Sequence, residues 1–160
     1  MSQLVSKSQY EKTDPVPGEG AVPAPAASVP NPAPTQVLLV VEHDEALRAQ
    51  ASALLRDRSF PVLEARDEED ALELISEGRE LIAAAMLDTG LPVKMSLQIA
   101  RELRGAHPGI KLILVSDGER ESIPEPLAAM DGWIYLRKPY GTADLLTAVQ
   151  RALPRAITAA

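Results

Sequence analysis

From residue 36 onward, short apolar blocks bounded by turn signals alternate with amphipathic segments, and nothing else in the chain restricts its fold as much. VLLVV (37–41) reads as a buried strand, and Leu47, Ala51, Leu54 and Leu55 then recur at helical spacing. The run from Phe60 to Ala65 reads as a second strand. DEEDALELISEG follows as a short helix, with acids in its first turn and a glycine at its end. LIAAAML (81–87) lacks polar alternation, as a strand covered on both faces requires. Leu97, Ala100 and Leu103 mark a third helix, KLILVS (111–116) a fourth strand and GWIYL (132–136) a fifth. Leu145, Val149 and Leu153 close with a last helix. Strands that alternate with helices imply a parallel sheet wrapped on both faces. The weak unit is ERESIPEPLAAM, where Pro124 and Pro126 allow only a short or late helix starting near either proline.

Apolar residues make up 46% of the chain but aromatics only 3%, so the core must be aliphatic. The formal charge of −7 gives no general attraction to nucleic acid or anionic lipid, and neither is an expected partner. The absence of cysteine excludes disulfides, thiolate metal sites and a Cys nucleophile. MSQLVSKSQYEKTD lacks the apolar stretch of a signal peptide, and LIAAAML is too short to span a bilayer. A soluble cytoplasmic protein is the expectation. Residues 1–35 hold seven of the 14 prolines: Pro15, Pro17, Pro23, Pro25, Pro30, Pro32 and Pro34. Such a segment cannot bury enough apolar area to offset its ordering entropy. A disordered, locally extended arm is expected there, either an inert tail or a docking arm. The folded domain is expected over 36–154, with a short tail over 155–160.

In an open parallel sheet, ligands bind beyond the carboxyl ends of the strands. Strand one ends on Glu42 and His43, strand three on Asp88, and strand four on Ser116 and Asp117; Lys138 and Pro139 follow strand five. In a flavodoxin-like (βα)5 doubly wound sheet of order 2-1-3-4-5, these strands are spatial neighbours. Carboxylates, a hydroxyl and an ammonium would then converge on one end of the sheet. Each piece alone has a plain structural explanation, a helix cap for Asp88 or a turn for the Lys-Pro pair. Their conjunction at these spacings is far more specific.

On these residues, VLLVVEHDEALR, MLDTGLP, ILVS and YLRKPY, the chain from about 36 to 153 resembles the receiver domain of bacterial two-component response regulators. The resemblance implies that Asp88 accepts a phosphoryl group, with Lys138 and Ser116 contacting its oxygens. It also implies that Ser116 and Tyr135 form the switch that senses phosphorylation. Two anions must meet when a carboxylate attacks phosphorus, so positive charge is needed at the transferring oxygens. In the family Mg²⁺ supplies most of it, held by acids after strand one, by the acceptor and by a backbone carbonyl two residues on. Here those positions are Glu42, His43, Asp88 and Gly90.

Four features depart from the family pattern. His43 stands where an acid is usual, and imidazole suits Zn²⁺, Ni²⁺ or Cu²⁺ better than Mg²⁺. Three consequences are open: weakened Mg²⁺ binding, binding through Glu42 and water, or a transition-metal site. Protonated His43 can also place positive charge near the phosphoryl group. The only other histidine, His107, maps to the far end of the sheet. Asp44 fits the N-cap of the first helix, and Glu45 favours its positive end. Asp117 replaces a small residue, and either faces the phosphoryl group or caps the weak helix toward solvent. Ser96 fits as a cap of the third helix. Pro124 and Pro126 imply an altered output surface.

The expectation is a single-domain response regulator, since the chain ends soon after its last helix. It would receive a phosphoryl group on Asp88 from a sensor histidine kinase or phosphotransfer protein. It would then signal by docking to another protein or by passing the group onward. It is not expected to be an enzyme beyond promoting its own aspartyl phosphorylation and dephosphorylation. The alternative is a phosphorylation-independent interaction module with weakened Mg²⁺ binding. A flavin binder is disfavoured, because the only phenylalanine, Phe60, is remote from the strand ends.

Overall fold

The computed structural model describes residues 36–153. The arm expected over 1–35 and the tail expected over 155–160 lie outside the described residues. Five strands, β1 (Gln36–Val41), β2 (Val62–Ala65), β3 (Leu81–Asp88), β4 (Lys111–Ser116) and β5 (Trp133–Arg137), form one sheet. Its order is β2-β1-β3-β4-β5, and every pairing is parallel. Five helices connect and close it: α1 (Glu45–Asp57), α2 (Glu68–Glu77), α3 (Val93–Ala106), α4 (Glu125–Ala128) and α5 (Thr142–Ala152). This is the doubly wound architecture expected from the alternation.

The sheet is buried on both faces because successive residues of each strand point to opposite sides. Along β1, Val37, Leu39 and Val41 pack with Ala71 and Ile75 of α2 and Ile99 and Leu103 of α3. Leu38 and Val40 pack instead with Ala51 and Leu55 of α1 and Leu145 and Val149 of α5. Burying one such leucine stabilises the fold by about 1.5–3 kcal/mol. No helix among the described residues is long and apolar enough to cross a membrane.

Side-chain caps fix the starts of α1 and α2. The Asp44 carboxylate accepts from the Leu47 N–H at 3.0 Å, as expected for the cap of α1, and Glu45 lies in its first turn. Asp67 caps α2 by accepting from the Asp70 N–H at 2.9 Å, and Gly78 ends that helix with φ 62°. Ser96 is not a cap: α3 begins after Pro92, and Ser96 is buried within it. Residues before proline favour extended backbone, so the helix begins just beyond it. The second strand is shorter than expected. Phe60 is buried but precedes the ladder, since Ser59 adopts φ 70° and turns the chain there. The fifth strand is shifted by one residue from GWIYL, because Gly132 adopts φ 73° ahead of it. The fourth connection contains a 3₁₀ turn (Arg120–Ser122) and then α4, four residues long with Pro124 as its N-cap. The two prolines thus act as their geometry predicts.

Candidate functional site

The carboxyl ends of β1, β3 and β5 bring four charged or ionisable side chains together. Glu42 follows β1, and its N–H pairs with the Ala65 carbonyl at 3.1 Å, so the sheet holds its backbone in place. Asp88 is the last residue of β3 and only 2% exposed. Lys138 follows β5, anchored by its N–H to the Ser116 carbonyl at 2.7 Å. His43 is the open member, with 57% of its side chain exposed.

The two carboxylates are bridged on opposite oxygens. Lys138 Nζ lies 3.0 Å from Glu42 Oε1 and 3.2 Å from Asp88 Oδ1. His43 Nδ1 lies 2.6 Å from Asp88 Oδ2 and 3.4 Å from Glu42 Oε2. A carboxylate only accepts, so Nδ1 donates its proton to Asp88 in this arrangement. Backbone donors complete the set: Gly90 N–H to Asp88 Oδ1 at 2.9 Å and Asp44 N–H to Glu42 Oε2 at 3.1 Å. Gly90 leaves room for this close approach. A Cβ there would lie 3.2 Å from Asp88 Oδ1 and 3.5 Å from His43 Cε1.

Two like charges at this separation cannot share the pocket equally. Burial raises the Glu42 carboxyl above its usual range, and the adjacent Asp88 raises it further against the Asp44 N–H and Lys138. Burial also pushes Asp88 upward, but its hydrogen bonding with Glu42, the Gly90 N–H and Lys138 outweighs burial and holds it below the usual range. Asp88 is thus the carboxylate kept ionised, the form a nucleophile requires. Burial works against the Lys138 charge, yet Glu42 and Asp88 together raise its pKa.

Ser116 and Tyr135 lie beside this cluster. Asp88 pairs with Val115 across the sheet, so Ser116 stands one residue past that rung. Its hydroxyl accepts from the Gly118 N–H at 3.0 Å, which leaves the hydroxyl proton free to be donated. Among the described residues, no hydrogen bond joins it to Asp88. The Tyr135 hydroxyl donates to the Gly118 carbonyl, so both residues fasten the same loop. Asp117 is exposed and caps nothing; the 3₁₀ turn follows Glu119 instead. His107 lies at the opposite, amino end of the strands, beside Gln36, Leu81 and Lys111.

The sequence reading missed two residues that hold the site. The N–H and Oγ1 of Thr89 both donate to the Val115 carbonyl, at 2.8 and 3.0 Å, which pins the loop after Asp88 to β4. The Arg48 guanidinium donates to the Glu42 carbonyl at 3.0 Å. Thr89 was open to recognition, since a hydroxyl residue between Asp and Gly favours local backbone bonding.

Glu42, His43 and Asp88 each offer one ligand atom, and the three atoms lie within 4.8 Å of one another. Two carboxylates and an imidazole fit a divalent cation, although the imidazole departs from an all-oxygen donor set.

A doubly wound parallel sheet with an acid–lysine pocket at its strand ends defines a class, and comparison with known proteins gives the family. Residues 38–150 match the family model described as response regulator receiver domain, and the chain belongs to that family. It is 30% identical over 118 residues to the sensor kinase CckA of Brucella abortus, covering 74% of this chain and 12% of that protein. It is 30% identical over 120 residues to the response regulator MprA of Mycobacterium tuberculosis, covering 74% of this chain and 50% of that one. The chain therefore spans half or less of these relatives' length. Among solved structures, a response regulator receiver domain protein from Clostridium thermocellum superposes with a TM-score of 0.64 at 25% identity, covering 76% of this chain and 96% of that one. The chemotaxis protein CheY4 of Vibrio cholerae gives 0.65 at 21% identity, covering 76% of this chain and all of that one, which shows a shared fold.

Proposed function

We propose that this receiver domain accepts a phosphoryl group on Asp88 from a sensor histidine kinase or phosphotransfer protein and conveys the signal by docking to a further protein. The observation that carries this reading is the Asp88 carboxylate: buried at the end of β3, held ionised, and 3.2 Å from the Lys138 ammonium. In the transfer, an Asp88 oxygen bonds to phosphorus. The bond from phosphorus to the donor's leaving atom breaks, and the leaving group departs with the electron pair. The product is an acyl phosphate. Lys138 neutralises one phosphoryl oxygen, and the free hydroxyl proton of Ser116 is donated to another. Turning toward that oxygen loosens the Gly118 loop that Ser116 and Tyr135 hold, which couples the chemistry to the β4–α4 surface. Mg²⁺, when bound, supplies further positive charge; Glu42, Asp88 and the Gly90 carbonyl are the oxygens that would hold it. His43 beside them weakens that all-oxygen preference.

The test is incubation with a small phosphodonor, with and without Mg²⁺, read by intact mass. A gain of one phosphoryl group that disappears in Asp88→Asn is expected; no gain at any Mg²⁺ concentration overturns the reading. A second reading, a phosphorylation-independent interaction module, is favoured by the 2.6 Å contact through which His43 occupies Asp88 Oδ2. The same experiment separates the two.

A further inference from the structure

The side of the carboxylate pair facing away from Lys138 carries a mixed donor set. Glu42 Oε2, His43 Nδ1 and Asp88 Oδ2 all border it. Ligands around an ion at about 2.0–2.2 Å are themselves about 3 Å apart. The observed separations from His43 Nδ1, 2.6 Å and 3.4 Å, bracket that spacing. Lys138 does not compete for this side, because it bonds the other oxygen of each acid. The His43 ring is half-open, so its Nδ1 can face an ion from the solvent side without disturbing the core. An imidazole nitrogen raises affinity for late first-row divalent ions and adds little for Mg²⁺.

We infer that Glu42, His43 and Asp88 form a site for a borderline divalent transition ion, of the Ni²⁺, Co²⁺ or Zn²⁺ class, with His43 Nδ1 as a direct ligand. The inference rests on the cation role given above to Glu42 and Asp88, and adds that His43 sets which ion is preferred. The chain has no cysteine and only one other histidine, His107, at the opposite end of the sheet, so soft or nitrogen-donor competitors are few.

The experiment is calorimetric titration of the metal-free full chain with Ni²⁺ and with Mg²⁺, joined to visible absorption of the Co²⁺-loaded protein. Late ions outrank Mg²⁺ at most sites, so the decisive quantity is the ratio of the two affinities in wild type against His43→Asp. That ratio should fall about 100-fold, by weakening Ni²⁺ and strengthening Mg²⁺ about tenfold each, the scale on which ligand-shell changes act. The Co²⁺ band should shift in His43→Asp and stay unchanged in His107→Asn. An unchanged ratio, or a Co²⁺ spectrum insensitive to His43, overturns the inference. Should His43→Asp fail to fold by circular dichroism, His43→Asn serves, with the same loss of Ni²⁺ affinity expected. The assay contains no phosphodonor, so its outcome is independent of whether Asp88 is phosphorylated.

Discussion

His43 Nδ1 lies 2.6 Å from Asp88 Oδ2, so the side chain that replaces an acid hydrogen-bonds the carboxylate proposed as the phosphoryl acceptor. This contact has two effects. It takes up a lone pair that a cation would otherwise use, and it engages one of the two Asp88 oxygens. An aspartate at the same position would do neither.

His43→Asp should therefore lower the Mg²⁺ concentration that half-saturates labelling by a small phosphodonor, by about tenfold. It should also make labelling depend more steeply on Mg²⁺, since three neighbouring carboxylates repel until a cation joins them. Quantitative mass spectrometry across an Mg²⁺ series checks this. An unchanged half-saturation point would show that His43 does not govern cation affinity.

Lys138 is 17% exposed and, among the described residues, is the one ammonium bonded to both buried acids. Removing one partner of a largely buried ionic group leaves uncompensated charge, at about 3–5 kcal/mol when fully buried. Partial exposure reduces that figure. Lys138→Met should cost the metal-free fold about 2–3 kcal/mol at neutral pH, measured by urea unfolding with chelator present. The Lys138→Met, Glu42→Gln double variant should recover part of it, because one of the stranded charges is then gone. Additive losses would show that the cost is packing.

His107 offers a pH effect distant from the pocket. Its pKa is lowered from the ordinary 6.5 by burial. The folded state thus binds this proton less well than the unfolded chain does. Stability is present above the unfolded value and is lost as pH falls through the folded one. Wild type should lose stability relative to His107→Gln as pH falls from about 7 toward 5, the range in which an ordinary histidine charges. Parallel unfolding series for the two proteins isolate His107, because every other group is common to both.

The doubly wound sheet was legible because its evidence is local and repeated. Apolar runs such as LIAAAML, caps such as Asp44 and the glycine at 78 each announce themselves within a few residues. Asp88, Lys138 and Glu42 were legible as candidates because strand-end position is itself a local property. What was not legible is the pairing of oxygens. That His43 takes Oδ2 while Lys138 takes Oδ1 depends on side chains 45 and 50 residues from Asp88. Ser96 was misread for a different, local reason. Its hydroxyl is a good cap in isolation, but Pro92 starts α3 earlier and the helix carries Ser96 into the core.

The last prediction concerns the loop between Ser116 and Tyr135. Gly118 sends its N–H to Ser116 Oγ and receives the Tyr135 hydroxyl at its carbonyl, so both switch candidates meet at one residue. Its open Cα is also needed for packing: a Cβ there would lie 2.5 Å from Ser122 Oγ and 3.3 Å from Ser122 Cβ. Turning Ser122 away would give up the hydrogen bond its hydroxyl donates to the Glu119 carbonyl at 2.6 Å. Gly118→Ala should therefore destabilise the fold by about 1 kcal/mol, the low end of the overpacking scale, because Ser122 is exposed. Ser122→Ala removes the closest atom and should return part of that loss when combined with Gly118→Ala. A double-mutant cycle by urea unfolding reads the coupling directly. Coupling near zero would mean that the loop moves as a unit and that the Gly118–Ser122 contact does not hold it. Strong coupling would make Ser122 the brace against which Ser116 and Tyr135 hold the loop.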